Sequence, residues 1–365
     1  MTLGIAGCGS GGASSNASDP DPAATAECTK AVDTYFTSHP DEPTALPTSF
    51  TPLSKPPTPG GRIITVASGS VPSMMVSANE QAKAAAAIGW THQTIAYDGT
   101  VTDANAKLEQ AIAERPTVVA IAGVPPAAMQ QPIASAQAAG VVLSLSGVTE
   151  APSTFPGYAA ASQGPDTQEA AGERNAYLAL KASGCNANVL VLSAPVQTLK
   201  PTTDKFQSVL KQLCPQCKSS YSEIQFADIG SPAATSKAVS ALQVDPSIKY
   251  VYAAFANLVN GLQSALDQAG IDGVTVFGTT PDVQAMAALK SSKNPGWWVT
   301  VSAELDGWFT VDAALRALDK KGPVFTGAYP VGVLTKANAP ASSDDIPSFP
   351  TNFRELLTTL WTPAV

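Results

Sequence analysis

The chain has 365 residues, of which 44% are hydrophobic and 14% charged, enough apolar material for one large buried core or two medium ones. Its formal net charge of −8 and its pI near 4.8 argue against nucleic acid or an anionic membrane surface as a partner. The sequence contains no apolar run of about 18 residues, so it predicts no membrane-spanning helix.

An apolar stretch with small residues precedes Cys8, and a Gly/Ser-rich stretch follows it. This arrangement resembles the lipidation signal of bacterial lipoproteins. The resemblance implies an exported protein, made with a signal peptide, whose Cys8 is acylated and becomes the mature N-terminus. Gly7, Gly9 and Gly12 also have dinucleotide-fingerprint spacing, but a flexible tether follows instead of the helix that the fingerprint requires.

The regular pattern of strands and helices begins at Arg62. Three segments are predicted before it: a tether over 9–27, a short helix over 28–37 and a proline-rich arm over 40–59. The apolar run 63–67 is typical of a strand buried on both faces, and the Ala-rich stretch 79–88 favours a helix. Ligands bind at the carboxyl ends of strands in open α/β sheets, so residues 68–75 are expected to form one wall of a binding site.

Strands and helices alternate along the rest of the chain. The predicted strands after the first are 94–97, 118–122, 141–145, 189–192, 222–226, 250–254, 274–277 and 298–301. The predicted helices after the first are 104–114, 127–139, 170–183, 204–213, 235–242, 258–269, 283–289, 310–318 and 353–361. This alternation predicts parallel sheets in two α/β lobes, with a cleft between them that favours a ligand.

The cysteines point to structural disulfides if the protein is exported. Cys214 and Cys217 have the spacing of a redox motif, but they close a predicted helix instead of opening one. A zinc site would need two further ligands, and none is evident in a chain with two histidines. We expect Cys185 to pair with Cys214 or Cys217, since the strands that follow these cysteines should be neighbours; the sequence leaves the connectivity open.

Three segments carry motifs of a known protein family. Val66–Gly89 has the order of an opening strand, a proline loop and a first helix, with Pro72 in the place of the family proline. Val251–Gly270 corresponds to a segment with an Asn-Asp pair, a helix and Ala-Gly, and Val276–Asp282 corresponds to a Val-Gly-Phe-Asp loop. These segments resemble the sugar-binding (ribose-type) periplasmic binding proteins of ABC transporters, and the resemblance runs from about residue 62 to about residue 330.

The resemblance implies an α/β fold of two Rossmann-like lobes, with parallel sheets and helices on both faces, joined by a three-stranded hinge. The chain is then expected to divide into a lipobox, tether and arm (1–61), an N-terminal lobe (62–148 plus 281–303), a C-terminal lobe (149–280 plus 304–340) and a C-terminal extension (341–365). The hinge crossings are expected near 147–149, 279–282 and 303–306, and the lobes should close over ligand by rotating about them.

Most positions that bind ligand in the sugar-binding family carry different residues in this chain. Ser73 and Met74 replace stacking aromatics, Ser146 replaces an Asp, Thr202 an Arg, Phe255 part of an Asn-Asp pair and Thr280 part of a Phe-Asp loop. Sugar recognition needs charged, multidentate groups that take over the hydrogen bonds of every hydroxyl. The sequence therefore predicts a less polar ligand, aromatic or largely apolar.

Further candidate ligand residues are hydroxyls and two residues near the third crossing. Ser68 and Ser70 are expected to join Ser146 and Thr280 in a few hydroxyl contacts. Glu304 could bind a polar end of the ligand or be a solvated hinge carboxylate. Trp308 could line the cleft or belong to the core.

The function expected from the resemblance is that of a monomeric, lipid-anchored extracytoplasmic solute-binding protein that serves the permease of an ABC importer. Two alternatives remain open: a ligand-sensing subunit for a membrane receptor, and a true sugar binder with an atypical site. No nucleophile elbow, paired-carboxylate signature or metal cluster indicates an enzyme, and no cofactor is expected. A repressor with this fold would need an N-terminal helix-turn-helix, which residues 1–61 lack.

Overall fold

The computed structural model describes residues 21–69, 71–148, 158–160, 164–225, 228–319, 329–342 and 345–362. The helices are α1 (Pro22–Ser38), α2 (Pro72–Ala87), α3 (Val101–Ala113), α4 (Gln130–Ala139), α5 (Pro165–Ser183), α6 (Lys200–Leu213), α7 (Pro232–Val244), α8 (Leu262–Ala269), α9 (Val283–Ser291), α10 (Ala303–Leu318) and α11 (Phe353–Trp361). The strands are β1 (Arg62–Ser68), β2 (Thr91–Tyr97), β3 (Val118–Ala122), β4 (Val142–Ser146), β5 (Tyr158–Ala160), β6 (Asn188–Ser193), β7 (Lys218–Glu223), β8 (Tyr250–Ala253), β9 (Thr275–Thr279), β10 (Pro295–Thr300) and β11 (Gly332–Thr335).

The first lobe is built on a five-stranded parallel sheet with the order β2-β1-β3-β4-β5. Helices α3 and α4 cover one face, and α2 and α10 cover the other. Strand β1 is buried from Ile63 to Ser68, as its continuous apolar run predicts for a strand between two helical layers.

The second lobe is built on a six-stranded sheet with the order β11-β10-β9-β8-β6-β7. Its strands are parallel except β11, which pairs antiparallel with β10 at the edge. Helices α7, α8 and α9 cover one face, while α1, α5 and α6 cover the other. The two-lobed α/β architecture predicted from the sequence is confirmed.

The carboxyl edges of the two sheets face each other. Strand β10 ends at Thr300 and α10 begins at Ala303, so residues 301–302 alone join them, a link that reaches about 10 Å at most. Strand β10 is parallel to β9 and therefore ends at the carboxyl edge of the second sheet. Helix α10 begins at the carboxyl edge of the first sheet, because Asp306 lies beside Ser146 at the end of β4. The cleft between the lobes is thus bordered by strand ends from both sheets.

The predicted lobe boundaries need correction. Residues 281–303 were assigned to the first lobe, but α9 packs on β10 in the second lobe, and β10 belongs to the second sheet. Residues 304–340 were assigned to the second lobe, but α10 packs on α2, β4 and β5 of the first. Alternation along the chain fixes the type of each element but not the sheet it joins, because sheet membership depends on non-local contacts.

The predicted positions of the hinge crossings also need correction, because they depend on the lobe boundaries. The chain does not cross at 279–282, where β9 and α9 both belong to the second lobe, nor at 147–149, because β5 adds to the first sheet afterwards. The crossings lie between β5 and α5, at 301–302 and between α10 and β11. The crossing predicted at 303–306 was therefore close to an observed one.

The predicted disulfide pairing was wrong. Cys28 pairs with Cys185, and Cys214 pairs with Cys217. Helix α1 packs against α5 and α6 of the second lobe, which brings Cys28 next to Cys185 across 157 positions of sequence. The prediction omitted Cys28 because the sequence does not show where an N-terminal helix docks.

The C-terminal helix α11 has the bounds predicted for it and packs on the first lobe. Phe353, Leu357 and Trp361 on its inner face are fully buried, and they contact α10. Within the described residues, no helix is both long enough and apolar enough to cross a membrane.

Candidate functional site

The first-lobe wall of the cleft is formed where β1 to β4 end. Ser68, Tyr97 and Ser146 are the last residues of β1, β2 and β4, and parallel pairing brings their ends to one edge of the sheet. Burial, with the charge of Asp98 as a second cause, raises the pKa of Tyr97. Its hydroxyl is therefore a neutral hydrogen-bonding group at physiological pH.

Met74 lies across the ends of β2 and β3. Helix α2 begins at Pro72, so Met74 is in its first turn, half-buried, and the Tyr97 hydroxyl donates to its Sδ at 3.9 Å. A Cβ added to Gly123, just after β3, would lie 3.1 Å from Met74 Cε. The thioether thus covers this part of the wall with a soft, polarisable surface that packs well against apolar or aromatic groups.

A buried polar layer supports the wall. Asp306 of α10 accepts hydrogen bonds at Oδ2 from Ser77 of α2 at 2.8 Å and from Ser146 of β4 at 3.3 Å. Asp306 is only 3% exposed, so its carboxylate is enclosed by protein and not solvated. The Ser146 hydroxyl, predicted as a ligand contact, donates to this carboxylate in the structure. The layer fixes the start of α10 to α2 and β4.

The second-lobe wall contains Phe255 and Thr280, which follow β8 and β9. The two loops are joined by a hydrogen bond of 3.4 Å from the Ala256 amide to the Thr280 carbonyl. Thr280 is exposed and has a φ of 51°, a left-handed conformation that is strained for a β-branched residue. Its amide donates to the Val299 carbonyl at 2.8 Å, which holds this conformation in place. Phe255 and Thr280 thus lie on two loops that are bonded to each other, and their role in ligand binding stays a prediction.

Three predicted ligand residues lie in helix–helix contacts. Thr202 is fully buried between α5 and α6, where its hydroxyl donates to Gln168 at 2.6 Å. Helix α6 begins at Lys200, earlier than predicted, and this turns Thr202 towards α5. Trp308 is 4% exposed and stacks on Trp361 of α11 at a ring separation of 5.3 Å.

Glu304, the third of these residues, belongs to an ion-pair network with α11. Arg354 donates to Glu304 at 2.9 Å and to Glu80 of α2 at 3.0 Å, and Trp308 Nε1 donates to Glu80 at 2.8 Å. Burial alone would raise the pKa of Glu80, but the hydrogen bonds from Lys83 and Trp308 and the charge of Arg354 outweigh it and lower the pKa. This network joins α2, α10 and α11.

Of the remaining predicted residues, some lie near the cleft and others lie outside the residues that the structure describes. Ser68 is buried at the end of β1, and Ser73 is exposed in the first turn of α2. Ser70 and Cys8 lie outside the described residues. The sequence prediction missed Tyr97 and Gly123 as parts of the wall, although both follow directly from the register that aligns the ends of β1, β2 and β3.

Comparison with known proteins identifies the fold and the family. A family model described as a periplasmic binding protein domain matches residues 64–322, which is more than half of the chain. The chain belongs to the periplasmic binding protein family. As predicted, it has the family's α/β fold, and membership of the family implies an extracytoplasmic location.

Solved structures of solute and sugar binding proteins share the fold at low sequence identity. A 5-methylthioribose transporter solute binding protein from Thermotoga lettingae is 17% identical, with a TM-score of 0.64 over 78% of this chain and 89% of that chain. An arabinose binding protein from Geobacillus stearothermophilus is 18% identical, with a TM-score of 0.63 over 77% and 98%. An ABC transporter solute binding protein from Mycobacterium smegmatis with bound glycerol is 19% identical, with a TM-score of 0.62 over 77% and 96%. No curated protein matches the sequence at a significant level.

Proposed function

We propose that this periplasmic binding protein captures a small, weakly polar solute between its lobes and delivers it to the permease of an ABC importer. The observation that carries the ligand class is the position of Met74 across Tyr97 and Gly123 at the carboxyl edge of the first sheet. In the sugar-binding family that this chain resembles, aromatic side chains at this position stack on the sugar. Here the wall has the thioether of Met74 instead.

The hydrogen-bonding groups around Met74 support the same class of ligand. The Ser146 hydroxyl and the Asp306 carboxylate bond to each other, and the Asp98 carboxylate accepts from the amide and hydroxyl of Thr100. A sugar buried here would lose hydration at its hydroxyls, and each hydroxyl left unpaired costs roughly 1–3 kcal/mol. A solute with few hydroxyls avoids that cost.

A matched pair of ligands provides a direct test. The Thermotoga lettingae protein binds 5-methylthioribose, in which a methylthio group replaces one hydroxyl of ribose. We expect this chain to bind 5-methylthioribose more tightly than ribose, because the methylthio group can pack on Met74. Calorimetric titration with both compounds measures the difference, and a preference for ribose would contradict the proposal.

A wider screen tests ligand capture itself. A solute that binds only the folded state raises the melting temperature, by an amount that grows with its concentration. We expect stabilisation by at least one weakly polar compound in a panel of aromatic acids, nucleosides, sterols and alkylthio sugars. Stabilisation by free sugars alone would indicate a sugar binder with an atypical site.

We also propose that the protein works as a monomer held at the membrane by a lipid on Cys8. Small residues before this cysteine and a Gly/Ser-rich stretch after it support the anchor. The expected result of Cys8→Ala is release of the protein from the membrane fraction, whereas Ser10→Ala should leave it there. A Cys8→Ala protein that stays membrane-bound would contradict the anchor.

A further inference from the structure

We propose that two segments outside the matched family region act as straps that limit how far the two lobes open. The N-terminal strap is residues 39–53, and the C-terminal strap is residues 345–353. Each strap is fixed to the second lobe at one end and to the first lobe at the other, in addition to the crossings that join the lobes.

The N-terminal strap begins on the second lobe. Helix α1, which precedes it, is linked covalently to that lobe by the Cys28–Cys185 disulfide. Arg174 of α5 is 1% exposed, and it donates to the His39 carbonyl and to Asp41 Oδ1, each at 2.6 Å. The Asp41 carbonyl also accepts from the amide of Val333 in β11 at 2.8 Å.

The same strap ends on the first lobe. Phe50 and Leu53 are 8% and 4% exposed in the core that α2, α10 and α11 share, and Phe50 packs on Phe309 at a ring separation of 4.8 Å. Arg316 of α10 donates to the Thr51 carbonyl at 2.8 Å. The strap therefore crosses from one lobe to the other within residues 41–50.

The C-terminal strap is shorter and passes over the hinge itself. The Phe349 ring packs on Gly332 of β11 so closely that a Cβ at this glycine would overlap the ring. Phe353, four positions later, is fully buried in the first-lobe core. Ser348, which precedes Phe349, contacts the hinge. Its Oγ lies 2.5 Å from the Oγ of Ser302, and Ser302 belongs to the crossing at 301–302.

These anchors make opening costly. A chain of four steps from Phe349 to Phe353 reaches about 14 Å at most, so lobe movement beyond that reach must expose one of the two buried rings. The ligand-free protein should therefore sample a narrow range of cleft widths. The straps restrict the opening of the cleft whatever solute it binds.

The test measures cleft width in the ligand-free full chain, so it does not depend on the proposed ligand. Spin labels are placed by Val101→Cys and Val283→Cys, in a Cys8→Ser background. These valines are 46% and 45% exposed, and they begin α3 and α9 at the rims of opposite lobes. Electron–electron resonance then gives the distribution of distances between the labels.

Two strap variants and one control complete the experiment. Phe349→Leu weakens an anchor, and a Gly/Ser insertion of about five residues after the exposed Thr351 lengthens the strap while keeping both anchors. Phe206→Leu alters an equally buried ring that lies within the second lobe alone. We expect a single narrow distance peak for the parent and the control, and a broader distribution reaching longer distances for both strap variants.

Three outcomes would overturn the proposal. In the first, the distribution of label distances in the parent is already as broad as in the strap variants. In the second, the insertion leaves the distribution narrow. In the third, Phe206→Leu broadens the distribution as much as the strap variants do. The insertion keeps every buried side chain of the strap, so it distinguishes slackening of the strap from a general loss of stability.

Discussion

Met74 is the residue on which the proposed ligand class depends. Its thioether contacts Tyr97 and would contact any side chain at Gly123, so it forms part of the surface that a solute meets. The sequence located this position from the proline loop. It did not show that Met74 belongs to the first turn of a helix, because Pro72-Ser-Met reads as a turn, although proline is equally suited to the start of a helix.

Met74→Ala should weaken ligand binding with little effect on folding. Removing the thioether loses packing contacts, and we expect about a 10-fold rise in Kd, equivalent to about 1.4 kcal/mol, for the compound that most raises the melting temperature. Calorimetric titration measures the change. Val76→Ala, at a 41% exposed position on the same helix, is the control and should bind as the parent does. Equal losses in both variants would remove Met74 from the site.

His92 should make the protein less stable in acid. Burial lowers its pKa to about 4, below the 6.5 of an ordinary histidine, so the unfolded state binds more protons between these values. Its contribution to stability is complete above pH 6.5 and is lost as the pH falls towards 4. His92→Gln should flatten this part of the profile by about 1 kcal/mol, a figure reduced for partial solvent exposure.

Urea unfolding at pH 7.5 and at pH 4.5 measures the His92 effect. The difference in unfolding free energy between the two pH values should be smaller for the variant than for the parent. An identical difference in both proteins would mean that His92 does not take up the proton.

For single helices and strands, the sequence predicted the type of each element better than the residue at which it begins. Strand β3 and helix α11 have their predicted bounds, because a continuous apolar run and an amphipathic stripe are local signals. Helix α10 begins seven positions earlier than the predicted start at Thr310, and Ser302 caps it by accepting from the amides of Glu304 and Leu305. Strands β5 and β11 have three and four residues and were missed, since they form only by pairing with an existing sheet.

Helix α11 should contribute substantially to the stability of the first lobe. Trp361 is fully buried and donates from Nε1 to Asp312 at 2.8 Å. Trp361→Ala removes the ring and should cost about 3–5 kcal/mol, whereas Trp361→Phe removes mainly the donor and should cost about 1–3 kcal/mol. Chemical unfolding measures both. Val244→Ala, at an 86% exposed position, should stay within about 0.5 kcal/mol of the parent.

The two disulfides should differ in their effect on stability. The Cys28–Cys185 bond closes a loop with a sequence separation of 157, and the Cys214–Cys217 bond one with a separation of 3. From loop-closure entropy, the disulfide that closes the long loop should stabilise the folded state by about 5 kcal/mol, and the one that closes the short loop by about 2 kcal/mol. Replacing each pair by serine and comparing urea unfolding tests this order. A larger loss from the short loop would contradict the entropic account.

At the scale of the whole molecule, the two-lobed fold was predictable, but the assignment of segments to lobes was not. Alternation of strands and helices implied parallel sheets, while the position of β10 beside β9 depends on pairing that no local pattern encodes. The straps were equally invisible in the sequence. Phe50 and Phe349 appear there as isolated aromatics in proline-rich stretches, and their roles come from contacts with α10 and β11.

The cleft is expected to bind a weakly polar solute and not a free sugar. Calorimetric titration of the protein with ribose, galactose and glucose is the test. We expect no measurable binding of any of the three sugars, since their hydroxyls would lose water without gaining the partners they need. Binding of any one of them with a micromolar or lower Kd would contradict it.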